Sequence, residues 1–138
     1  MSEIMEGAEP MSVDGGPVGV LVLHGFTGNP QSVRPLADAV AAAGHGVEMP
    51  LLSGHGTVVE DMLDTNWTDW SADAEAAYQR LAARSRHVVV AGLSMGGSLT
   101  CWLATRHPEI AGIVCVNPAT QAAPEVRGAT RGRRRSCA

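Results

Sequence analysis

Gly92-Leu-Ser94-Met-Gly96 fits the pattern G-x-S-x-G, in which a serine hydroxyl rides on a sharp turn between a strand and a helix. A serine held in that way can serve as the nucleophile of acyl transfer. The turn stores strain of about 1–3 kcal/mol, and glycines on either side remove the Cβ atoms that would clash. In a chain with 16 glycines the bare pattern also arises by chance, so its weight comes from context. An apolar run, Val88–Leu93, leads into Ser94 and a helical pattern leads out. The helix N-terminus behind the serine favours developing negative charge.

His24-Gly25-Phe26-Thr27-Gly28 ends another apolar run and is the second chemical element. An acyl-transfer oxyanion needs two N–H donors, and losing one costs roughly 2.7–4 kcal/mol. The backbone N–H groups of Phe26 and Met95 are the candidates. The plainer reading is that His24 and its glycines only shape a turn, and the serine downstream weighs against it.

The elements that must position these residues follow from the hydrophobic pattern. Val18–Leu23 is nearly continuous in apolar residues, as in a strand covered on both faces. A helix follows from Pro35, with Leu36, Val40 and Ala43 predicted on one face and Gly44 as its stop. Gly46–Met49 is a second strand and Leu51–Asn66 a long irregular loop containing Gly54-His55-Gly56. A helix from Trp67 to about Arg84 shares Trp67, Trp70, Ala74, Ala77 and Leu81 on one face. His87–Leu93 is a third strand, and the helix after Ser94 turns Met95, Leu99, Trp102 and Leu103 inward. Ile110–Val116 is a fourth strand. Strands separated by helices predict an α/β fold, a mostly parallel sheet with helices on both faces.

Residues 1–16 are expected as a flexible segment, although Asp14-Gly15-Gly16 offers a turn that folds Met11–Val13 back on the first strand. Residues 17–118 are the expected domain. Residues 119–138 contain no Leu, Ile, Met, Phe, Tyr or Trp and are expected to be a disordered, Arg-rich tail.

Charge and cysteine usage narrow the function classes. All ten basic residues are arginines; residues 1–126 hold five of them and all 14 acids, residues 127–138 the other five and no acid. Such a tail binds anions in a salt-sensitive way, but it lacks the aromatic residues that stack on bases, so nucleic acid is not the expected partner. Three cysteines without a C-x-x-C pair predict neither a disulfide framework nor a zinc site, and inert, reduced thiols are the expectation. No stretch reaches the roughly 18 apolar residues of a membrane helix, and Met1–Gly16 has no signal-peptide order, which predicts a cytoplasmic protein. A dinucleotide turn, G-x-G-x-x-G, is missing, and a Walker A loop needs a lysine. No cofactor or metal is expected.

Three motifs in order, His24-Gly-Phe-Thr-Gly28, Gly54-His-Gly56 and Gly92-Leu-Ser-Met-Gly-Gly97, resemble the α/β-hydrolases of the small carboxylesterase and monoacylglycerol lipase type. Trp67 and Trp70 opening a helix and Arg106-His-Pro108 closing the next are also similar to that family. The resemblance covers about residues 13–118. It implies Ser94 as nucleophile, the Phe26 and Met95 amides as oxyanion hole, and a small-molecule carboxylic ester as substrate.

The resemblance also implies an acid and a histidine after the serine. Downstream stand only His107, Glu109 and Glu125. His107 lies about three helical turns, roughly 18 Å, from Ser94 and fits a helix C-terminal partner better than a base. His45 and His87 begin strands at the opposite sheet edge. His55 lies in a loop on the correct side, but the matching family residue is not the base. The chain therefore reads as an incomplete α/β-hydrolase fold, truncated or frameshifted after about residue 118. Its last strand is then expected to be a bare apolar edge. Two functions follow: an ester-hydrolysing serine enzyme by ancestry, inactive as written, or a non-catalytic partial scaffold with a basic tail.

Overall fold

The computed structural model describes residues 2–120. In chain order its elements are β1 (Met11–Val13), β2 (Val18–Leu23), α1 (Arg34–Ala42), β3 (Gly46–Met49), α2 (Val59–Leu63), α3 (Trp67–Ala82), β4 (His87–Leu93), α4 (Met95–Arg106) and β5 (Gly112–Val116). They form one five-stranded sheet in the order β1-β3-β2-β4-β5. All pairings are parallel except that of β1 with β3.

The alternation of side chains along the central strands divides the core into two layers. Leu21 and Leu23 of β2, with Val88 and Val90 of β4, pack against Ala74, Tyr78 and Leu81 of α3 and Leu99 and Leu103 of α4. Val20 and Val22, with Ala91, face the other way and meet Val33, Ala37, Val47 and Met49. Helices thus cover both faces, as the apolar runs predict. The architecture is the expected α/β one, a mostly parallel sheet between helices. Among the described residues no helix is long and apolar enough to cross a membrane.

Several elements depart from the pattern-based expectation. Met11–Val13 pairs antiparallel with β3, Met11 opposite Met49, and not with β2, whose two edges are taken by β3 and β4. In α1 the inward residues are Ala37, Val40 and Ala41; Leu36 is 43% exposed and Ala43 is exposed. The small Ala37 is the residue fully buried against the sheet, so close approach, and not side-chain size, selects the face. The loop after β3 contains the short α2, whose Val59 and Leu63 are exposed and give no inward period. Trp70 packs against the core, whereas Trp67 is 39% exposed and makes an edge contact with Trp102.

Residues before β1 lie along the body. Ala8 is fully buried, Met5 N–H donates to Gly56 O at 2.8 Å, and the Arg34 guanidinium donates to Glu9 O at 2.6 Å. The tail expected to be disordered lies outside the described residues, apart from Ala119 and Thr120. At the other end of the sheet β5 is outermost, with Ile113, Val114 and Val116 nearly half exposed.

Candidate active site at the carboxyl edge of the sheet

From β2 the chain moves outward to β3, and from β4 it moves outward in the opposite direction to β5. The carboxyl ends of β2 and β4 therefore flank a topological switch point, where open α/β sheets form their ligand crevice. Both chemical motifs stand there, since Leu23 is opposite Gly92 in the β2–β4 ladder.

Ser94 forms the turn between β4 and α4 with φ 55° and ψ −117°. The conformation is disfavoured for any residue with a Cβ. It is held by a hydrogen bond from Ser94 N–H to Val116 O at 2.9 Å and by Gly97 N–H donating to Ser94 O at 2.9 Å. The flanking glycines are required by space: a Cβ at Gly92 would stand 2.0 Å from Gly96 O, and one at Gly96 2.2 Å from Leu23 O. Ser94 stands at the N-cap of α4, but its side chain makes no capping hydrogen bond. The hydroxyl is left free of its own helix.

The turn after β2 lies against this elbow. A Cβ built on Gly25 would be 3.2 Å from Ser94 Cβ and 3.8 Å from Met95 N. In the turns and loops of the described residues no acceptor takes the Phe26 or Met95 N–H. Thr27 follows at φ 61°, Asn117 just past β5 has φ 44°, and with Ser94 these are the positive-φ residues other than glycine in the described chain. All three sit beyond the carboxyl ends of neighbouring strands, and backbone strain of this kind collects at functional edges.

His24 is fully buried beneath that turn. Its Nε2 accepts from Leu52 N–H at 3.1 Å, and its Nδ1 lies 3.0 Å from Gly25 O. The neutral ring with the proton on Nδ1 satisfies both contacts. Burial pushes its pKa down to about 4; the Gly25 bond opposes that shift and the His55 ring adds to it. His24 is therefore a neutral spacer that fixes the loop after β3 to the turn after β2.

His55 is buried on top of it, ring centroids 5.3 Å apart, and touches Phe26 and Trp70. Its Nδ1 is 3.0 Å from Ser53 O, which also accepts from Trp70 Nε1 at 3.1 Å. Asp73 Oδ2 accepts from Ser53 N–H at 2.6 Å. The sequence pattern gave no sign of this Asp73–Ser53–Trp70 anchor, because its members lie in two elements and share no local motif. Asn117 was equally silent, although an asparagine after an apolar run is a residue type that tolerates φ > 0.

No histidine ring among the described residues is hydrogen-bonded to Ser94. His107 is the C-cap residue of α4, its backbone N–H donating to Leu103 O, a bond that does not involve the imidazole. Its ring is engaged elsewhere, with Nε2 2.8 Å from Glu75 Oε1 and Nδ1 3.3 Å from Glu109 Oε1. Tyr78 stacks on it at 4.1 Å. Among the described residues no group of three His, Cys, Asp or Glu is arranged to hold a metal ion.

A family described as serine aminopeptidase, S33, matches residues 18–136. A thermostable monoacylglycerol lipase from Bacillus sp. (strain H-257) is 50% identical over 129 residues, 94% of this chain and 52% of that protein. A carboxylesterase from Bacillus subtilis (strain 168) is 36% identical over 107 residues, 77% of this chain and 43% of that protein. Among solved structures, one described with LipS and LipT, two metagenome-derived lipolytic enzymes, superposes with a TM-score of 0.88 at 44% identity. It covers 91% of this chain and 52% of that one. The chain spans about half the length of the curated relatives it matches.

Proposed function

The chain belongs to the serine aminopeptidase S33 family, and from that premise we propose that it carries the nucleophile and oxyanion side of a serine hydrolase acting on carboxylic esters. The observation that carries the reading is the backbone of Ser94, forced to positive φ at a strand-to-helix turn with its hydroxyl uncapped. Ester chemistry is favoured over amide chemistry by the relatives, a monoacylglycerol lipase and a carboxylesterase.

In this reading Ser94 Oγ attacks the carbonyl carbon of a small-molecule ester. The Phe26 and Met95 N–H groups hold the oxyanion, and water then releases the acyl group from Ser94. The proton of Ser94 needs a base. His24 cannot accept it while Nε2 is bonded to Leu52 N–H, and the His107 ring is held between Glu75 and Glu109. That distribution of histidines favours a second reading for the 138-residue chain itself: a folded scaffold with an elbow that does not turn over. A cytoplasmic setting belongs to the proposal, in keeping with three cysteines that carry no C-x-x-C pair or disulfide framework.

A fluorophosphonate probe separates the two readings. Covalent labelling of folded chain that Ser94→Ala reduces to background supports a competent nucleophile. A folded protein that takes up no probe, with circular dichroism unchanged in the variant, supports the inert scaffold.

A further inference from the structure

Two thiols outside the serine site are in van der Waals contact. Cys101 Sγ, on α4, lies 3.7 Å from Cys115 Sγ, on β5. A disulfide places the sulfurs about 2.05 Å apart, so the remaining approach is of side-chain scale. Cys101 is exposed and Cys115 half-buried. The Cys115 thiol donates towards Gly97 O at 3.8 Å in the first turn of α4. The serine chemistry uses neither sulfur.

We propose that Cys101 and Cys115 form a peroxide-responsive dithiol, a modification site that closes into a disulfide between α4 and β5. The difference in exposure assigns the order of events. Cys101, reached from solvent, attacks hydrogen peroxide as its thiolate: an S–O bond forms, the O–O bond breaks and hydroxide leaves. Cys115 then attacks the Cys101 sulfenic acid. The S–S bond forms, the S–O bond breaks, and the leaving hydroxide takes the Cys115 proton to become water. The two sulfurs lose two electrons, and the peroxide is reduced to two waters. Burial, followed by the neighbouring Cys101 sulfur, raises the Cys115 thiol above its ordinary value, which suits a group that stays protonated until the sulfenic acid forms beside it.

The bond has a mechanical consequence. Cys115 precedes Val116, whose carbonyl holds the Ser94 N–H, so oxidation pins the strand that supports the elbow to the helix that leaves it.

The test uses the full 138-residue chain with Cys137→Ser, treated with equimolar hydrogen peroxide, alkylated with N-ethylmaleimide and weighed intact. The expected product is a monomer lighter by about 2 Da that takes up no maleimide, regains two maleimide sites after dithiothreitol, and is lost in Cys101→Ser. Closure should be about tenfold slower in guanidinium, where the fold no longer holds the thiols together. Peptide mapping of the unsubstituted chain supplies a second readout, a Cys101 peptide joined to a Cys115 peptide. Two maleimides after peroxide, a disulfide-linked dimer, a bond to Cys137, or equal rates in guanidinium each overturn the proposal.

Discussion

The backbone N–H of Ser94 donates to the carbonyl of Val116 at 2.9 Å, so the elbow depends on the outermost strand as well as on its own. Ser94 is held at φ 55° and ψ −117° by bonds on both sides of the residue. Its strain is a property of the surrounding sheet.

That strain has a measurable counterpart. Ser94→Gly should raise stability by about 1 kcal/mol, because glycine occupies this region without a Cβ penalty. Ser94→Ala should leave stability within about 0.5 kcal/mol of the parent, since its Cβ meets the same constraint. Urea melts of the three proteins check the difference, and both variants should lose fluorophosphonate labelling.

Space at the elbow gives the opposite sign. A Cβ at Gly92 would fall 2.0 Å from Gly96 O and 2.5 Å from Thr100 Oγ1, atoms of a packed helix that cannot swing away. Gly92→Ala should therefore cost about 2–4 kcal/mol. A drop smaller than about 1 kcal/mol in a urea melt would mean that α4 tolerates displacement from β4.

His24 sets a pH dependence. Its folded pKa, about 4 because of burial, is below the ordinary value of about 6.5. The unfolded chain therefore binds more protons between those values, and stability falls as pH drops from 6.5 towards 4. At pH 5 the loss relative to neutral pH should be on the order of 2 kcal/mol. Denaturant midpoints at pH 7 and pH 5 measure it, and His24→Asn should flatten the slope.

Tyr78 is the single tyrosine of the chain, so phenolate absorbance reports on it alone. Burial, followed by its hydrogen bond to Glu109, raises its pKa to about 12. Ionisation should be nearly absent at pH 10.5 and should shift to lower pH in Glu109→Gln. A midpoint near the ordinary value of about 10 in the parent would show that the Tyr78–Glu109–His107 cluster is open in solution.

How much of this was legible before the structure differs between strands and faces. The central strands were legible because β2 and β4 are buried on both sides and their apolar runs have no alternative use. The elbow was legible because glycines at 92 and 96 are spaced by a steric need that the fold then displays. The place of β1 was not: Met-Ser-Val is too short to show a period, and its partner is chosen by long-range contacts. One of these is the buried Glu48 of β3, which accepts from Ser12 Oγ at 2.6 Å and pairs with Arg84 at 3.1 Å. On α1 the pattern places Val40 inward but not Ala37, because Leu36 outranks Ala37 in hydrophobicity while Ala37 fits the gap. For the candidate site, the motifs propose Ser94 and the Phe26 and Met95 amides, but nothing local foretells that His55 is tied to Ser53 O or His107 to two glutamates.

The sheet order has a kinetic consequence. Gly19 pairs with Gly46 and Val89 with Gly112, each within one strand-helix-strand unit, whereas Val18 pairs with His87 across most of the described chain. Closing that long span carries the largest loop entropy in the sheet, and non-local pairing is slow to nucleate. The Phe26 turn belongs to the first unit and the Ser94 elbow to the second, so the seam between them is expected to zip last during refolding. Pulsed hydrogen exchange would then show amides of β2–β3 and β4–β5 protected before the β2–β4 ladder, with probe reactivity at Ser94 appearing only as that final ladder forms.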